Sequence, residues 1–184
     1  METLDNKYSQ QRITRLFKSA LALSNISLGQ IIGDTVRVSS FELKLAQKPE
    51  LPISNGFLLE VTVFGNIEGI AHLLIDDKSA THIFENCLEM GTSSESFKDS
   101  MMREGLLSEI ANMVVSAFIT EIADQLEFEI YSNVPRLSKV DNFSKHVTWS
   151  ENRNVVAAIG LNGKDSDVSL TLLLQFPDSL LNYL

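Results

Sequence analysis

Two long segments of the chain repeat apolar residues at the spacing of an α-helix. The first runs from about Ser9 to Ile32 and the second from about Gly105 to Asp124. On a helical wheel the second segment has an apolar side and, opposite to it, a stripe of small and polar residues. The apolar side contains Leu107, Ala111, Val114, Phe118 and Ile122, and the stripe contains Gly105, Glu109, Asn112, Ser116, Thr120 and Ala123. The pattern predicts two helices that each bury one face.

Apolar runs bounded by turn residues predict strands between and after these helices. Two pairs of runs are joined by short segments rich in Gly and Asn, which is typical of antiparallel hairpins. The predicted strands are 36–45, 57–64, 67–75, 154–161 and 167–176, and a short helix is predicted from Asp77 or Ser79 to about Leu88. The polar run 142–154, with alternating Phe143, Lys145, Val147 and Trp149, is interpreted as an edge strand, and 48–56 and 91–96 as loops.

The second half of the chain repeats the order of the first: long helix, strand, polar loop, hairpin, short helix. The best trace of the repeat pairs Leu73 to Ser79 with Leu172 to Ser179. We therefore predict one α+β domain over residues 1–184 with pseudo-two-fold symmetry, its repeats spanning about 9–90 and 97–184. Two long helices are expected to pack on an antiparallel sheet built of hairpins.

Charge and composition narrow the functional classes. The formal net charge of −9 disfavours binding to nucleic acid and to anionic membranes. Glu109 and Glu121 interrupt the apolar helix, so we predict no membrane insertion. A single Cys and three separated His residues predict no metal site. The first residues lack the pattern of a signal peptide, so we expect a cytoplasmic protein.

Glu109 and Asn112 are the candidate functional residues. They lie three positions apart, so their side chains project from the same helix face. Such pairs are common on solvated helices, and that interpretation stays open. The flanking stripe is small rather than rich in charge, however, and Asn is a poor residue for a helix interior. These observations favour a site that another surface approaches closely.

The surrounding sequence resembles the CheC/CheX/FliY family of chemotaxis phosphatases. Its signature is Asp or Ser, three residues, Glu, two residues, Asn, twenty-two residues and Pro. Glu109, Asn112 and Pro135 match these positions, whereas Gly105 replaces the Asp or Ser. The segment Val61 to Gly69 is also similar to the hairpin region of the family. With its one central motif the chain resembles the CheX branch more than the two-site CheC branch.

The resemblance implies a CheC/CheX-like domain and a protein substrate, the aspartyl phosphate of a CheY-like response regulator. Asn112 would orient the attacking water, and Glu109 would bind a lysine of the regulator. Gly105, Ser108 and Ser116 border the pair and are expected to contact the partner. No cofactor of the chain itself is implied, because the Mg²⁺ would belong to the regulator. The resemblance also implies a homodimer formed through the sheets.

Two other interpretations remain open. The same fold serves as a non-enzymatic binding or adaptor module of the chemotaxis and flagellar switch system, and Gly105 keeps this alternative open. A sensory module with a ligand pocket is the other, although the sequence shows no convergent set of polar residues.

Alignment of the long helices at their C-terminal ends places Lys18 and Leu21, or Phe17 and Ala20, opposite Glu109 and Asn112. The first half therefore lacks the motif.

Overall fold

The computed structural model describes residues 2–45, 50–51, 55–89, 100–149 and 154–184. The helices are α1 (Glu2–Ile32), α2 (Asp77–Glu89), α3 (Ser100–Leu126), α4 (Phe143–His146) and a C-terminal 3-10 helix (Asp178–Tyr183). The strands are β1 (Val36–Leu45), β2 (Gly56–Gly65), β3 (Gly69–Asp76), β4 (Ile130–Ser132), β5 (Arg136–Val140), β6 (Asn154–Gly163) and β7 (Ser169–Pro177). The loop predicted at 91–96 lies outside the described residues, as does part of the loop predicted at 48–56.

The strands of the described segments form one seven-stranded antiparallel sheet, as the hairpin pattern predicts. Its order is β1-β6-β7-β3-β2-β4, and β5 pairs with β2 beside β4. The hairpins β2-β3 and β6-β7 meet in the centre through β3 and β7. Each half supplies edge strands to the hairpin of the other half. From the first half, β1 pairs with β6. From the second half, both β4 and β5 pair with β2. The predicted α+β class and pseudo-two-fold arrangement are confirmed, whereas the boundaries of the repeats stay a prediction.

The two long helices cover one face of the sheet and pack against each other. Phe17 of α1 makes edge-on contacts with Phe118 of α3 and Phe176 of β7, at centroid distances of 5.3 and 6.0 Å. The buried Ser24 hydroxyl donates to the carbonyl oxygen of Val114 at 3.0 Å and so ties α1 to α3. A small polar residue at this position lets the two helix backbones approach each other.

α3 also has the length and composition of a helix that could cross a membrane. This evidence is weak, because the core helix of a soluble protein meets the same criteria. Eight α3 residues are buried in the main core of this chain. A role as a core helix accounts for its apolar composition.

The buried positions of α1 and α3 superpose when the helices are offset by 94 residues, the separation of Gly33 from Glu127. Both of these residues follow the helix ends with positive φ, 67° and 55°. The α1 positions are Ile13, Leu16, Phe17, Ala20, Leu21, Ser24 and Leu28, and the α3 positions are Leu107, Ile110, Ala111, Val114, Val115, Phe118 and Ile122. The alignment made from the sequence is therefore wrong: the first-half equivalents of Glu109 and Asn112 are Arg15 and Lys18. The error arose because α3 continues to Leu126, beyond the apparent end of its pattern at Asp124.

The structure corrects three further expectations. α1 and α3 begin at Glu2 and Ser100, earlier than their apolar patterns indicate. The run interpreted as an edge strand contains α4, whose Asn142 cap accepts from the Ser144 N–H at 2.9 Å. Phe143 and Val147 are both buried against the outer face of the sheet, one helical turn apart, so their spacing is four rather than two. The edge strands of the second half are β4 and β5, which the pattern did not reveal.

Candidate functional site

α3 presents the predicted stripe to solvent. Gly105, Glu109 and Thr120 are exposed, whereas Asn112 and Ser116 are half-buried. The predicted apolar side is buried throughout, from Leu107 to Ile122. Packing against α1 and the sheet therefore fixes the rotation of α3, and this rotation directs Glu109 and Asn112 away from the core.

Glu109 lies on the accessible part of this surface. Within the described segments its carboxylate makes no hydrogen bond or ion pair. An unpaired surface carboxylate retains its full capacity to bind a cation from another molecule. Ser108 beside it is half-buried.

Asn112 has one weak contact on its own helix. The Ser116 hydroxyl donates to Asn112 Oδ1 at 3.4 Å, one turn further along α3. This distance exceeds that of a normal O–H···O hydrogen bond, so the contact biases the amide without holding it firmly. The amide hydrogens and the second lone pair of Oδ1 remain available, since a carboxamide has two donors and two acceptor sites.

The space around Gly105 would accommodate a side chain. A Cβ atom at this position would meet no heavy atom within 4 Å, and the residue is exposed. The missing side chain instead leaves an open surface one turn before Glu109. This geometry accommodates the Asp or Ser of the family signature without rearrangement.

Pro135 lies between β4 and β5, where hydrogen bonding along the sheet edge is interrupted. Proline has no N–H to donate to a strand, so a break at this position is expected. Asn133 fills the gap: its N–H donates to the Thr62 carbonyl at 3.1 Å, and its Oδ1 accepts from the Thr62 N–H at 2.7 Å. The motif proline thus lies at the break between the two edge strands.

A contact at the start of α3 was not foreseen from the sequence. The Arg103 guanidinium stacks over the Phe84 ring of α2 at 5.1 Å from the centroid. A cation–π contact of this kind holds α2 against α3 two residues before Gly105. No local pattern links these residues, because the contact depends on how α2 packs.

His72 lies in the apolar strand β3. It is fully buried, and its Nε2 lies 3.3 Å from Glu60 Oε2. Burial lowers the pKa of His72, and the neighbouring Glu60 carboxylate opposes this effect in part. The imidazole is therefore neutral at pH 7, which suits a packed sheet face.

The two consecutive acids Asp76 and Asp77 lie at the junction of β3 and α2. Asp76 Oδ1 accepts from the Ser79 N–H at 2.7 Å, which is an N-cap hydrogen bond. The Asp77 carboxylate pairs with Lys139 of β5. In the part of the chain that the structure describes, no three His, Cys, Asp or Glu side chains are grouped as a metal site requires.

Comparison with known proteins gives these features a family context. Residues 102–138, which contain Gly105, Glu109, Asn112 and Pro135, match the model of the CheC-like family. This segment of the chain is similar to the matching part of the CheC-like family. The resemblance to the CheC/CheX/FliY family is thus confirmed. No curated protein matches the sequence significantly.

Solved structures share the fold of this chain. CheX from Desulfovibrio desulfuricans is 13% identical with a TM-score of 0.67, over 88% of this chain and 99% of that one. FliY from Thermotoga maritima is 13% identical with a TM-score of 0.69, over 95% and 92%. A complex of CheX with CheY, BeF3 and Mg²⁺ from Borrelia burgdorferi contains a chain 14% identical with a TM-score of 0.57, over 88% and 98%. Identities this low establish the fold and leave the activity to be argued from the site.

Proposed function

We propose that this CheC-like chain is a phosphatase that hydrolyses the aspartyl phosphate of a CheY-like response regulator. The observation that carries the proposal is that the exposed Glu109 and the half-buried Asn112 lie on one face of α3, within the segment that matches the family model. The solved complex of a CheX with CheY supports a regulator as the partner. A site on a convex helix suits a protein substrate, whose own active site supplies the enclosing surface.

Asn112 orients the attacking water in this proposal. Inserted beside the acyl phosphate, its carbonyl oxygen accepts a hydrogen bond from the water and its amide group donates one. The water oxygen forms a bond to phosphorus while the bond from phosphorus to the aspartyl oxygen breaks. The products are inorganic phosphate and the free carboxylate, and the released proton passes to solvent or phosphate. Positioning is sufficient because the acyl phosphate has a good leaving group.

Glu109 fixes the docking register by binding a lysine of the regulator. Its exposure and its lack of an ion-pair partner in the described segments leave the carboxylate free for this role. The Mg²⁺ of the reaction belongs to the regulator. Gly105, Ser108 and Ser116 contact the regulator around this pair.

The CheX branch is favoured because the first half offers no second site. Arg15 and Lys18 occupy the positions equivalent to Glu109 and Asn112, and both are exposed. A cation at the Glu109 position would repel the lysine that docking requires. We propose, with this assignment, a cytoplasmic homodimer; sedimentation equilibrium tests the dimer directly.

The alternative function is that of an adaptor, which binds the regulator without hydrolysis. The structural similarity to FliY supports this alternative. The two functions differ in stoichiometry. A trace of an enzyme shortens the lifetime of many phosphorylated regulators, whereas an adaptor affects only an equal number. The test is the decay of a phosphorylated receiver, with its Mg²⁺, at a large excess over this protein. Decay at the unassisted rate across the receivers of the host would refute the phosphatase proposal.

A further inference from the structure

The N-terminal end of α3 exposes two methionines in line with the candidate site. Met101 is 76% exposed and Met102 is 44% exposed. Met102 lies three positions before Gly105 and seven before Glu109, so these three residues share one face of the helix. The surface that carries Glu109 therefore begins with apolar side chains.

The core of the domain does not account for these methionines. The buried residues of α3 begin at Leu107, and residues 101–105 are all exposed. Single exposed apolar residues are common, but an adjacent pair that continues a polar candidate site is typical of an interaction surface. The methionine side chain is flexible and adapts to the shape of a partner.

Gly105 leaves an open space between Met102 and Glu109. A Cβ atom at Gly105 would meet no heavy atom within 4 Å, so packing inside the domain does not require glycine there. Glycine inside a helix also destabilises the helix relative to alanine. Its remaining physical effect is to let another molecule approach the helix backbone at this point.

This end of α3 is held in place by α2. The Arg103 guanidinium lies 5.1 Å from the centre of the Phe84 ring, and Phe84 is only 6% exposed. The contact anchors the helix turn that contains Met102 to the body of the domain. Binding on a preformed surface avoids the entropic cost of ordering it, so this turn suits docking.

We propose that the regulator places an apolar side chain over Gly105, where it packs against Met102 while a lysine of the regulator binds Glu109. The inference rests on the proposed phosphatase function and adds to it a feature that selects the regulator. Gly105 and Glu109 are separated by about 6 Å along the helix. The apolar side chain and the lysine of a suitable regulator are therefore about one helical turn apart.

The first experiment measures kcat and KM with a phosphorylated receiver and its Mg²⁺. Gly105→Asp and Gly105→Asn each raise KM about 10-fold, because they fill the space and set a polar group against the apolar side chain. The value of kcat stays unchanged, because docking contributes equally to the bound substrate and the transition state. Thr120→Asp adds the same charge to the same stripe and retains the wild-type KM. A wild-type KM in Gly105→Asn overturns the inference.

The second experiment concerns the apolar contact. Met102→Ala raises KM about 10-fold, and Met102→Leu retains the wild-type KM because leucine has a similar apolar volume. Ile26→Ala is the matched control, because Ile26 is 58% exposed on the other long helix. Its KM remains that of the wild type. Equal KM values for Met102→Ala and the wild type overturn the inference.

The third experiment locates the apolar side chain on the receiver. Exposed apolar residues around its phosphorylation site are replaced by alanine one at a time. One replacement raises the KM of the wild type, and with that receiver Gly105→Asn has no further effect, which is the coupling expected of groups in contact. If every replacement leaves the effect of Gly105→Asn unchanged, the inference is wrong.

Failure of this inference is distinguishable from failure of the proposed function. If the wild type shortens the lifetime of no phosphorylated receiver, the phosphatase proposal fails and the docking inference falls with it. If the wild type dephosphorylates a receiver and Met102→Ala and Gly105→Asn do so with the same KM, the phosphatase proposal stands and only the docking inference is wrong.

Discussion

Replacement of Asn112 by Ala separates catalysis from folding. The substitution removes the amide that orients water and leaves the helix backbone untouched. The contact it breaks, from the Ser116 hydroxyl at 3.4 Å, is long. We therefore expect loss of the accelerated dephosphorylation with a folded protein that still binds the regulator.

The expected magnitudes differ enough to be distinguished. Ala exceeds Asn in helix propensity by roughly 0.5 kcal/mol, and the lost hydrogen bond is worth about as much in the opposite direction. The free energy of unfolding therefore changes by less than about 1 kcal/mol, out of the ~5–15 kcal/mol typical of a domain. A misplaced attacking water, in contrast, slows the reaction about 100-fold or more, which corresponds to ~2.7 kcal/mol in the barrier.

The assay follows the decay of the phosphorylated receiver in the presence of each variant and, separately, the affinity for the receiver. Thr120→Ala is the matched control: Thr120 is exposed on the same stripe, two turns along and about 12 Å from Asn112. It should retain the wild-type rate. A wild-type phosphate lifetime with Asn112→Ala would remove Asn112 from the mechanism, and an equal loss in Thr120→Ala would show that the assay reports something other than water positioning.

Four further predictions test the docking, the backbone, the buried histidine and the core. Glu109→Ala weakens regulator binding by about 2 kcal/mol, ~30-fold, with an unchanged rate at saturation; titration and single-turnover decay separate the two. Gly105→Ala raises the free energy of unfolding by roughly 0.5–1 kcal/mol in urea, because its Cβ meets nothing within 4 Å. The pKa of His72 is lowered from 6.5 in the folded protein, so the unfolded chain binds a proton more readily and the free energy of unfolding falls as the pH drops below 6.5. Urea titrations at about pH 7 and 5 measure this fall, which should be smaller in His72→Leu than in the wild type. Phe118→Ala lowers the unfolding free energy by ~3–5 kcal/mol, because the ring is fully buried against Phe17.

The sequence pattern succeeded where one element carries its own signal. The faces of α3 follow from a repeat of 3.6 residues, which is local, so Glu109 and Asn112 were assigned to one accessible side. The hairpins were found because Gly and Asn mark their turns and apolar runs flank them. The start of α2 at Asp77 was predicted for the same reason, because its cap is local: Asp76 Oδ1 accepts from the Ser79 N–H three residues away.

The sequence pattern failed where a segment is short or where tertiary contacts determine its secondary structure. Phe143 and Val147 fit a strand alternation and a helical turn equally, and contact with the outer sheet face selects the turn. β4 and β5 are short, and Pro135 separates them, so only their pairing with β2 identifies them as strands.

Local composition thus determined the helices, the hairpins and the surface that carries Glu109 and Asn112, because each depends on residues a few positions apart. The tertiary structure alone decided which strand completes which hairpin and that Arg15 and Lys18 replace the motif in the first half. These features depend on contacts between residues distant in sequence, and the register of those contacts is set by the packing of α1, α3 and the sheet as a whole.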